Sequence, residues 1–183
     1  ALRSAVLQRT AVPVLCGTAL RNKGIQPILD AVVDLFPSPL DVPPVEGVHP
    51  ETGAVLSRLC DERQPLTALA FKVIMDEGRK LTYVRIYSGT LKVNEEVYNP
   101  AKRTHEKIAR IFRMHANKKE RVDHAYPGEI VAVMGLKQTT TGDTLCDENE
   151  PIILEAIDVY KPVMSVAVEP KTIGDEERLN AAL

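Results

Sequence analysis

The sequence predicts a mainly β fold: a small antiparallel β-barrel with a strand and a helix on each side of it. Beyond residue 65 the chain becomes rich in Val, Ile, Tyr and Thr, which favour strands. Short runs of these residues are separated by Gly, Asn or Asp turns, a spacing typical of small barrels. The composition, 44% hydrophobic and 26% charged, is that of a globular chain and excludes a disordered one.

Three elements are expected ahead of the barrel. Residues 11–15 are apolar and predict a buried strand, and residues 17–24 predict a loop. From Ile25 to Phe36 the apolar residues recur at i, i+3, i+4 and i+7, which predicts one face of a helix that Pro37 ends. The first ten residues read as the tail of another helix, so the chain is expected to begin inside an element.

Residues 37–65 carry six prolines and no sustained periodicity, which predicts a semi-extended linker. Barrel strands are predicted at 66–75, 81–87, 96–98 and 130–136. Residues 107–115 fit helical spacing better than alternation, but their neighbours favour a strand with a bulge, and that is the prediction. Another strand is predicted at 163–169, and a helix begins at residue 175.

Charge is distributed unevenly along the chain. The net charge is −2, yet residues 102–121 hold eight Lys or Arg against two Glu. Such a stripe is either a solvated face or a surface that meets a polyanion, and charge alone favours neither. Aromatic residues make up only 4% of the chain, which argues against base stacking on single-stranded nucleic acid.

Several classes of site lack their residues. None of the ten glycines fits the phosphate-binding pattern G-x-x-x-x-G-K-S/T. The three cysteines and four histidines share no metal-ligand spacing, so no metal site and no catalytic residue is predicted. Cys16 reads as a structural thiol more readily than as a nucleophile, because no base can be assigned to it. No apolar run reaches membrane-spanning length. A reducing cytoplasm is the expected location.

Seven blocks of sequence, in order and at matching spacing, resemble the bacterial elongation factor G family. They are Val12-Pro-Val-Leu-Cys-Gly-Thr-Ala19, Phe36-Pro-Ser-Pro-Leu-Asp-Val-Pro-Pro44, Leu69-Ala-Phe-Lys72, Arg85-Ile-Tyr-Ser-Gly-Thr-Leu91, Met114-His-Ala-Asn117, Thr139-Thr-Thr-Gly-Asp-Thr-Leu-Cys146 and Ser165-Val-Ala-Val-Glu-Pro170. The resemblance implies the end of a GTPase domain at 1–40, a proline-rich linker at 41–64, a domain II barrel of the translation-factor type at 65–158 and the beginning of domain III at 159–183.

The resemblance also implies a remnant of a guanine site. The family's loop has the form Ser-Ala-x, in which the N–H of Ala approaches the base oxygen, and Thr18, Ala19 and Leu20 stand in that place. The family uses GTP and Mg²⁺ in the full-length protein. Neither is expected to bind this chain, since the phosphate and magnesium contacts are absent from it, and the chain is expected to be inactive alone.

The expected partners are the ribosome, through small-subunit rRNA, and the protein's own GTPase domain and domain III. The resemblance places Arg85, Ser88 and Gly89 on the rRNA-facing surface, although Ser88-Gly89 also reads as an ordinary turn. The local positive charge adds five candidates for phosphate contacts: Lys102, Arg103, Lys107, Arg110 and Arg113. For Arg110, an internal salt bridge is the alternative.

The expected function is a non-catalytic part of the GTP-dependent factor that moves tRNA and mRNA on the ribosome. Three alternatives remain open at this point. The chain could be a stand-alone RNA-binding barrel, or the matching region of a ribosome-recycling paralogue, a tetracycline-protection protein or release factor three. An enzyme acting through Cys16 is the least favoured.

Overall fold

The computed structural model describes residues 1–76, 78–116 and 118–154, together with the single positions Pro170, Asp175 and Leu179. Helices α1 (Leu2–Leu7) and α2 (Ile25–Leu35) flank a 3-10 turn at Ala19–Arg21. The strands that follow are β1 (Val45–Val48), β2 (Val55–Arg58), β3 (Thr67–Asp76), β4 (Arg79–Ser88), β5 (Leu91–Lys92), β6 (Glu96–Asn99), β7 (Thr104–Lys107), β8 (Arg110–His115), β9 (Lys118–Val122), β10 (His124–Ala125), β11 (Ile130–Met134), β12 (Thr144–Cys146) and β13 (Ile153–Leu154).

The largest unit is an eight-stranded antiparallel sheet in the order β7-β6-β12-β3-β4-β11-β8-β9. Its strands alternate between buried and exposed residues because successive side chains point to opposite faces. Buried residues of the sheet and of the segments that adjoin it form one apolar cluster, which includes Ile86, Leu91, Ile108, Ile111 and Leu136. The mainly β, antiparallel fold expected from the sequence is confirmed.

The sheet curls back on itself through a bend in the segment 104–115. The first half, β7, pairs with β6, and the second half, β8, pairs with β11. At the bend, the Ile108 N–H donates to the Glu95 carbonyl at 3.0 Å and the Ala109 N–H donates to the Met134 carbonyl at 2.8 Å. The terminal strands β7 and β9 do not pair with each other, so the sheet is not closed into a full barrel by hydrogen bonds. The continuous segment 104–115 links β6 at one end of the sheet to β11 near the other.

The segment 107–115 is therefore extended, as predicted, with its irregularity at residues 108–109. The helical spacing of Ile108 and Ile111 has a simple cause. Ile108 lies at the bend and Ile111 beyond it, and both point into the core because the bend interrupts the two-residue alternation.

The proline-rich linker contains a hairpin that the sequence did not predict. Strands β1 and β2 pair with each other, and β1 also pairs with β13, forming a separate three-stranded sheet. Side chains of this sheet pack with Leu69, Tyr87 and Tyr98 around Ile152 and Leu154, forming a second apolar cluster. The prediction of a semi-extended linker was wrong over these two strands. Each strand has only four residues, too few for a clear alternation of apolar and polar side chains, and their partner β13 is distant in sequence.

Ahead of the barrel, helix α2 is confirmed, whereas the buried strand predicted at 11–15 is wrong. Val12 and Val14 are 84% and 87% exposed, and residues 11–17 have no strand partner within the described chain. An extended segment becomes a strand only when a neighbour takes its backbone hydrogen bonds. The strand predicted at 163–169 and most of the helix predicted from residue 175 lie outside the described residues.

Candidate nucleic-acid interface

The loop ahead of α2 is a compact turn. The Thr18 N–H donates to the Lys23 carbonyl at 2.9 Å, and the Lys23 N–H donates back to the Thr18 carbonyl at 3.2 Å. Between the two residues of this pair, a 3-10 turn begins at Ala19. The first N–H groups of such a turn have no hydrogen-bond partner inside it. Leu20 is 98% exposed. Ala19 is also exposed, and its carbonyl accepts a hydrogen bond from the Asn22 N–H at 3.0 Å.

The barrel hairpin predicted to face rRNA divides into one exposed residue and two buried ones. Arg85 is exposed, and its guanidinium lies 5.1 Å from the ring centre of Tyr87. Ser88 is buried, and its hydroxyl donates to the Pro65 carbonyl at 2.7 Å. Gly89 has φ +69°, and a Cβ there would lie 2.6 Å from Leu66 Cα. The Ser88 side chain does not reach the surface, and Gly89 serves the turn.

Some cations of the basic stripe are bound to carboxylates of the same chain. Lys102 Nζ lies 2.7 Å from Asp143 Oδ2, and Arg113 Nη2 lies 2.7 Å from Glu129 Oε1. The hydrogen bond with Glu129 raises the pKa of Arg113. Lys119 pairs with Asp76. Lys102 and Arg113 are thus engaged internally, which the sequence could not reveal because their partners are distant in the chain.

Other cations of the stripe are exposed and form no ion pair within the described chain. Three of them are predicted phosphate-contact candidates: Arg103, Lys107 and Arg110. Arg110 lies opposite Met134 across the β8–β11 pair, so the internal salt bridge considered for it is absent from this part of the structure. Arg103 lines a cleft beside Glu51 and Glu148, on a surface that also carries acids.

The sequence did not identify the loop 137–143, which is fixed by a buried carboxylate. Glu106 is only 6% exposed, and it accepts hydrogen bonds from Gln138 N and from both N and Oγ1 of Thr139. Lys80 Nζ donates to the carbonyls of Lys137 and Thr139, at 2.9 and 2.5 Å. Only alternation along β7 could have marked Glu106 as an inward residue.

Asp143 ties the other end of this loop. Its carboxylate accepts hydrogen bonds from Thr140 N at 2.7 Å and Asn99 Nδ2 at 3.0 Å, and it pairs with Lys102. Burial raises the pKa of Asp143, but the Lys102 ammonium and these donors together outweigh it, so the pKa lies below its ordinary value of 3.8.

This depressed pKa predicts how stability varies with pH. A carboxyl group with a lower pKa in the folded state stabilises the fold above its unfolded pKa, and the contribution is lost as the pH falls through the folded pKa. At pH 7 we expect Asp143→Asn to reduce the free energy of unfolding by about 1–3 kcal/mol. The gap from the parent should shrink as urea titrations are carried from pH 5 towards pH 3. A gap that stays constant over that range would contradict the ionic role.

The chain is similar to known proteins over its whole length. The family model described as elongation factor G domain 2 matches residues 65–148, which hold all eight strands of the large sheet. All 183 residues are 60% identical to elongation factor G 2 of Syntrophus aciditrophicus. The chain belongs to the elongation factor G family. It is also 57% identical over its whole length to elongation factor G of Thermotoga maritima, and 55% to that of Thermotoga petrophila. It spans 27% of the length of the first relative and 26% of the other two.

Within the described ranges, this member of the elongation factor G family has no group of three or more His, Cys, Asp or Glu side chains that could hold a metal ion. The helices in the described ranges are too short or too polar to cross a membrane.

Proposed function

We propose that this chain is the region of an elongation factor G that joins the GTPase domain to the small ribosomal subunit during GTP-dependent translocation. The observation that carries the proposal is the identity of 55–60% over all 183 residues to proteins named elongation factor G. That match includes the Ala19 turn, the linker hairpin and the barrel in one continuous alignment. Domain limits of 1–40, 41–64, 65–158 and 159–183 are part of the proposal.

In this role the barrel supplies contacts and no chemistry. Its buried thiol, Cys146, is unsuited to nucleophilic attack, because burial raises its pKa to about 11. Cys16 is an exposed free cysteine, and the sequence offers no base that could be assigned to it. The two apolar clusters hold the barrel and the small sheet together, so the barrel moves as one body when the GTPase domain changes state.

The turn at residues 18–20 is proposed to complete the guanine site of the full-length protein. The N–H of Ala19 would donate to the base oxygen, and the Thr18 hydroxyl would keep the polar character of the family's Ser. The phosphates of GTP, the Mg²⁺ ion and most of the base would be held by residues outside this chain. The ribosome, the GTPase domain and domain III are the proposed partners, and the cytoplasm is the proposed location.

A chimera tests this function. The matching segment of Thermotoga maritima elongation factor G is replaced by this chain, and tRNA–mRNA movement and GTP hydrolysis are measured on ribosomes of that organism. We expect translocation at a rate close to that of the parent, since both faces of the segment must fit the same neighbours. A folded chimera that hydrolyses GTP on the ribosome but does not translocate would overturn the proposal. Replacing the segment with a polar linker of equal length is the control for background.

A further inference from the structure

A mostly apolar pocket lies between the proline-rich linker and the barrel, and we call it the linker pocket. The linker forms one wall with Pro39, Val42 and Pro43, and strand β4 contributes Ile86 and Tyr87. Its volume is about 230 Å³. An apolar cavity of about 150 Å³ is enough to hold a benzene ring, so the linker pocket has room for two fused rings.

Local contacts fix the walls of the linker pocket. Gly128 lacks a side chain, and a Cβ there would lie 2.5 Å from Pro39 Cγ, so the linker rests directly against the barrel. The Asp41 carboxylate accepts a hydrogen bond from the Ser38 N–H at 2.9 Å and so holds the turn that carries Pro39. On the barrel side, the Gly128 N–H donates to the Ile86 carbonyl at 2.8 Å. A pocket that is formed before binding loses little conformational entropy when a ligand enters it.

The charge of the linker pocket is positive. Two arginines line it, Arg58 and Arg85, and none of the described residues that line it is acidic. Arg58 is buried, and its Nη2 lies 3.2 Å from Glu150 Oε2, so its charge is compensated. Arg85 is exposed and forms no ion pair within the part of the chain that the structure describes. Its guanidinium lies 5.1 Å from the ring centre of Tyr87, and this attraction holds the charge close to the pocket.

These features select the chemistry of the occupant. A metal ion or an ammonium group would be repelled by two guanidinium groups without a carboxylate beside them. A polyanion is bound by several cations at once, whereas the linker pocket offers one uncompensated charge beside an apolar hollow. The Nε–H of Arg58 is buried without a hydrogen-bond partner among the described residues, which also favours an acceptor over a donor at this wall. A flat apolar body with a single negative charge matches all three.

We propose that the linker pocket binds a small planar aromatic molecule that carries one carboxylate group. The ring system lies against the linker prolines and Tyr87, and the carboxylate pairs with Arg85 at the rim. The half-buried thiol of Cys60 also lines the pocket, so an occupant covers it. The inference goes beyond the proposed function, which requires no small molecule at this position.

The test titrates the 183-residue chain at pH 8 with quinoline-6-carboxylate, followed by amide chemical shifts in NMR spectra. A ligand of about 13 non-hydrogen atoms at ordinary efficiency binds with a Kd on the order of 1 mM. Neutral quinoline has the same rings without the carboxylate and should bind about tenfold more weakly. Arg85→Gln should weaken binding of the carboxylate about tenfold and leave that of quinoline unchanged. Arg63→Gln removes an exposed arginine that does not line the pocket, and it should behave as the parent.

Two cysteines provide an independent measurement of the position. At 10 mM quinoline-6-carboxylate, a Kd of about 1 mM leaves roughly one pocket in ten free. Alkylation of Cys60 by iodoacetamide, followed by mass spectrometry, should therefore slow about tenfold. Cys16 is exposed and does not line the pocket, so its rate should not change. Equal slowing of both cysteines, or no slowing of Cys60, would overturn the assignment.

A second variant keeps the proposal testable if Arg85→Gln is unstable. Val42→Trp fills the linker pocket from its rim, where Val42 is 43% exposed, and binding of quinoline-6-carboxylate should be lost. Equal urea midpoints confirm that each variant used retains the fold. The proposal is wrong if the parent shows no shifts at 20 mM ligand, or if folded Arg85→Gln binds the carboxylate as tightly as the parent. It is also wrong if quinoline and its carboxylate bind the parent equally well.

Discussion

Replacing Glu106 by Gln is expected to reduce the free energy of unfolding by about 3 kcal/mol. The carboxylate accepts three hydrogen bonds at a site that is almost fully buried, two from Thr139 and one from Gln138. A glutamine keeps the volume but has one acceptor oxygen, and its NH₂ group would face a backbone N–H. Each buried donor left without an acceptor costs about 1–3 kcal/mol, more than a mean hydrogen bond contributes.

Urea unfolding followed by far-UV circular dichroism measures this effect. Glu96→Gln is the matched control, because it makes the same chemical change on the neighbouring strand β6 at an exposed position. It should alter the free energy of unfolding by less than about 0.5 kcal/mol. Similar values for the two variants would mean that the Glu106 hydrogen bonds do not stabilise the loop.

Gly135→Ala is expected to destabilise the barrel by about 4 kcal/mol or more, combining backbone strain and overlap. Gly135 has φ +116°, which L side chains rarely adopt. A Cβ there would lie 2.3 Å from the Lys107 carbonyl oxygen and 2.8 Å from Ala109 N. These atoms belong to the bend between β7 and β8, and because they are backbone atoms no flexible side chain can move aside.

Gly53→Ala separates the strain from the overlap. Gly53 has φ +67°, and nothing lies within 4 Å of a Cβ built on it. It should cost only about 1–2 kcal/mol, the ordinary penalty for a left-handed alanine. Thermal unfolding of the two variants gives the comparison. If Gly135→Ala costs no more than Gly53→Ala, the bend is not closely packed.

Local patterns predicted those elements whose partners are near in sequence. Helix α2 has eleven residues of helical periodicity, and β3 and β4 form a long hairpin in which each strand supports the other. The hairpin β1–β2 was not predicted, because prolines surround it and because β13, the third strand of its sheet, lies about a hundred residues away. Residues 11–15 are as apolar as those of a buried strand, but the described part of the chain has no neighbouring strand to accept their backbone hydrogen bonds.

The basic stripe illustrates the same limit for the site. Composition marks residues 102–121 as positive, yet it cannot tell Lys102, which pairs with Asp143 from another loop, from Lys107, which forms no ion pair among the described residues. Lys137 lies outside the stripe, and only the fold brings it beside the bend. Glu106 looked like a minor counter-charge in the sequence, and the structure makes it the anchor of a loop.

The pairing of β1 with β13 ties the chain that enters the barrel to the chain that leaves it. A force that pulls the chain before Val45 away from the chain after Leu154 acts first on the paired residues Gly47–Leu154 and Val48–Ile153. The strands of the eight-stranded sheet are stretched only after those pairs give way. Mechanical load from neighbouring parts of a larger machine would thus pass around the barrel, which keeps its shape while it is displaced.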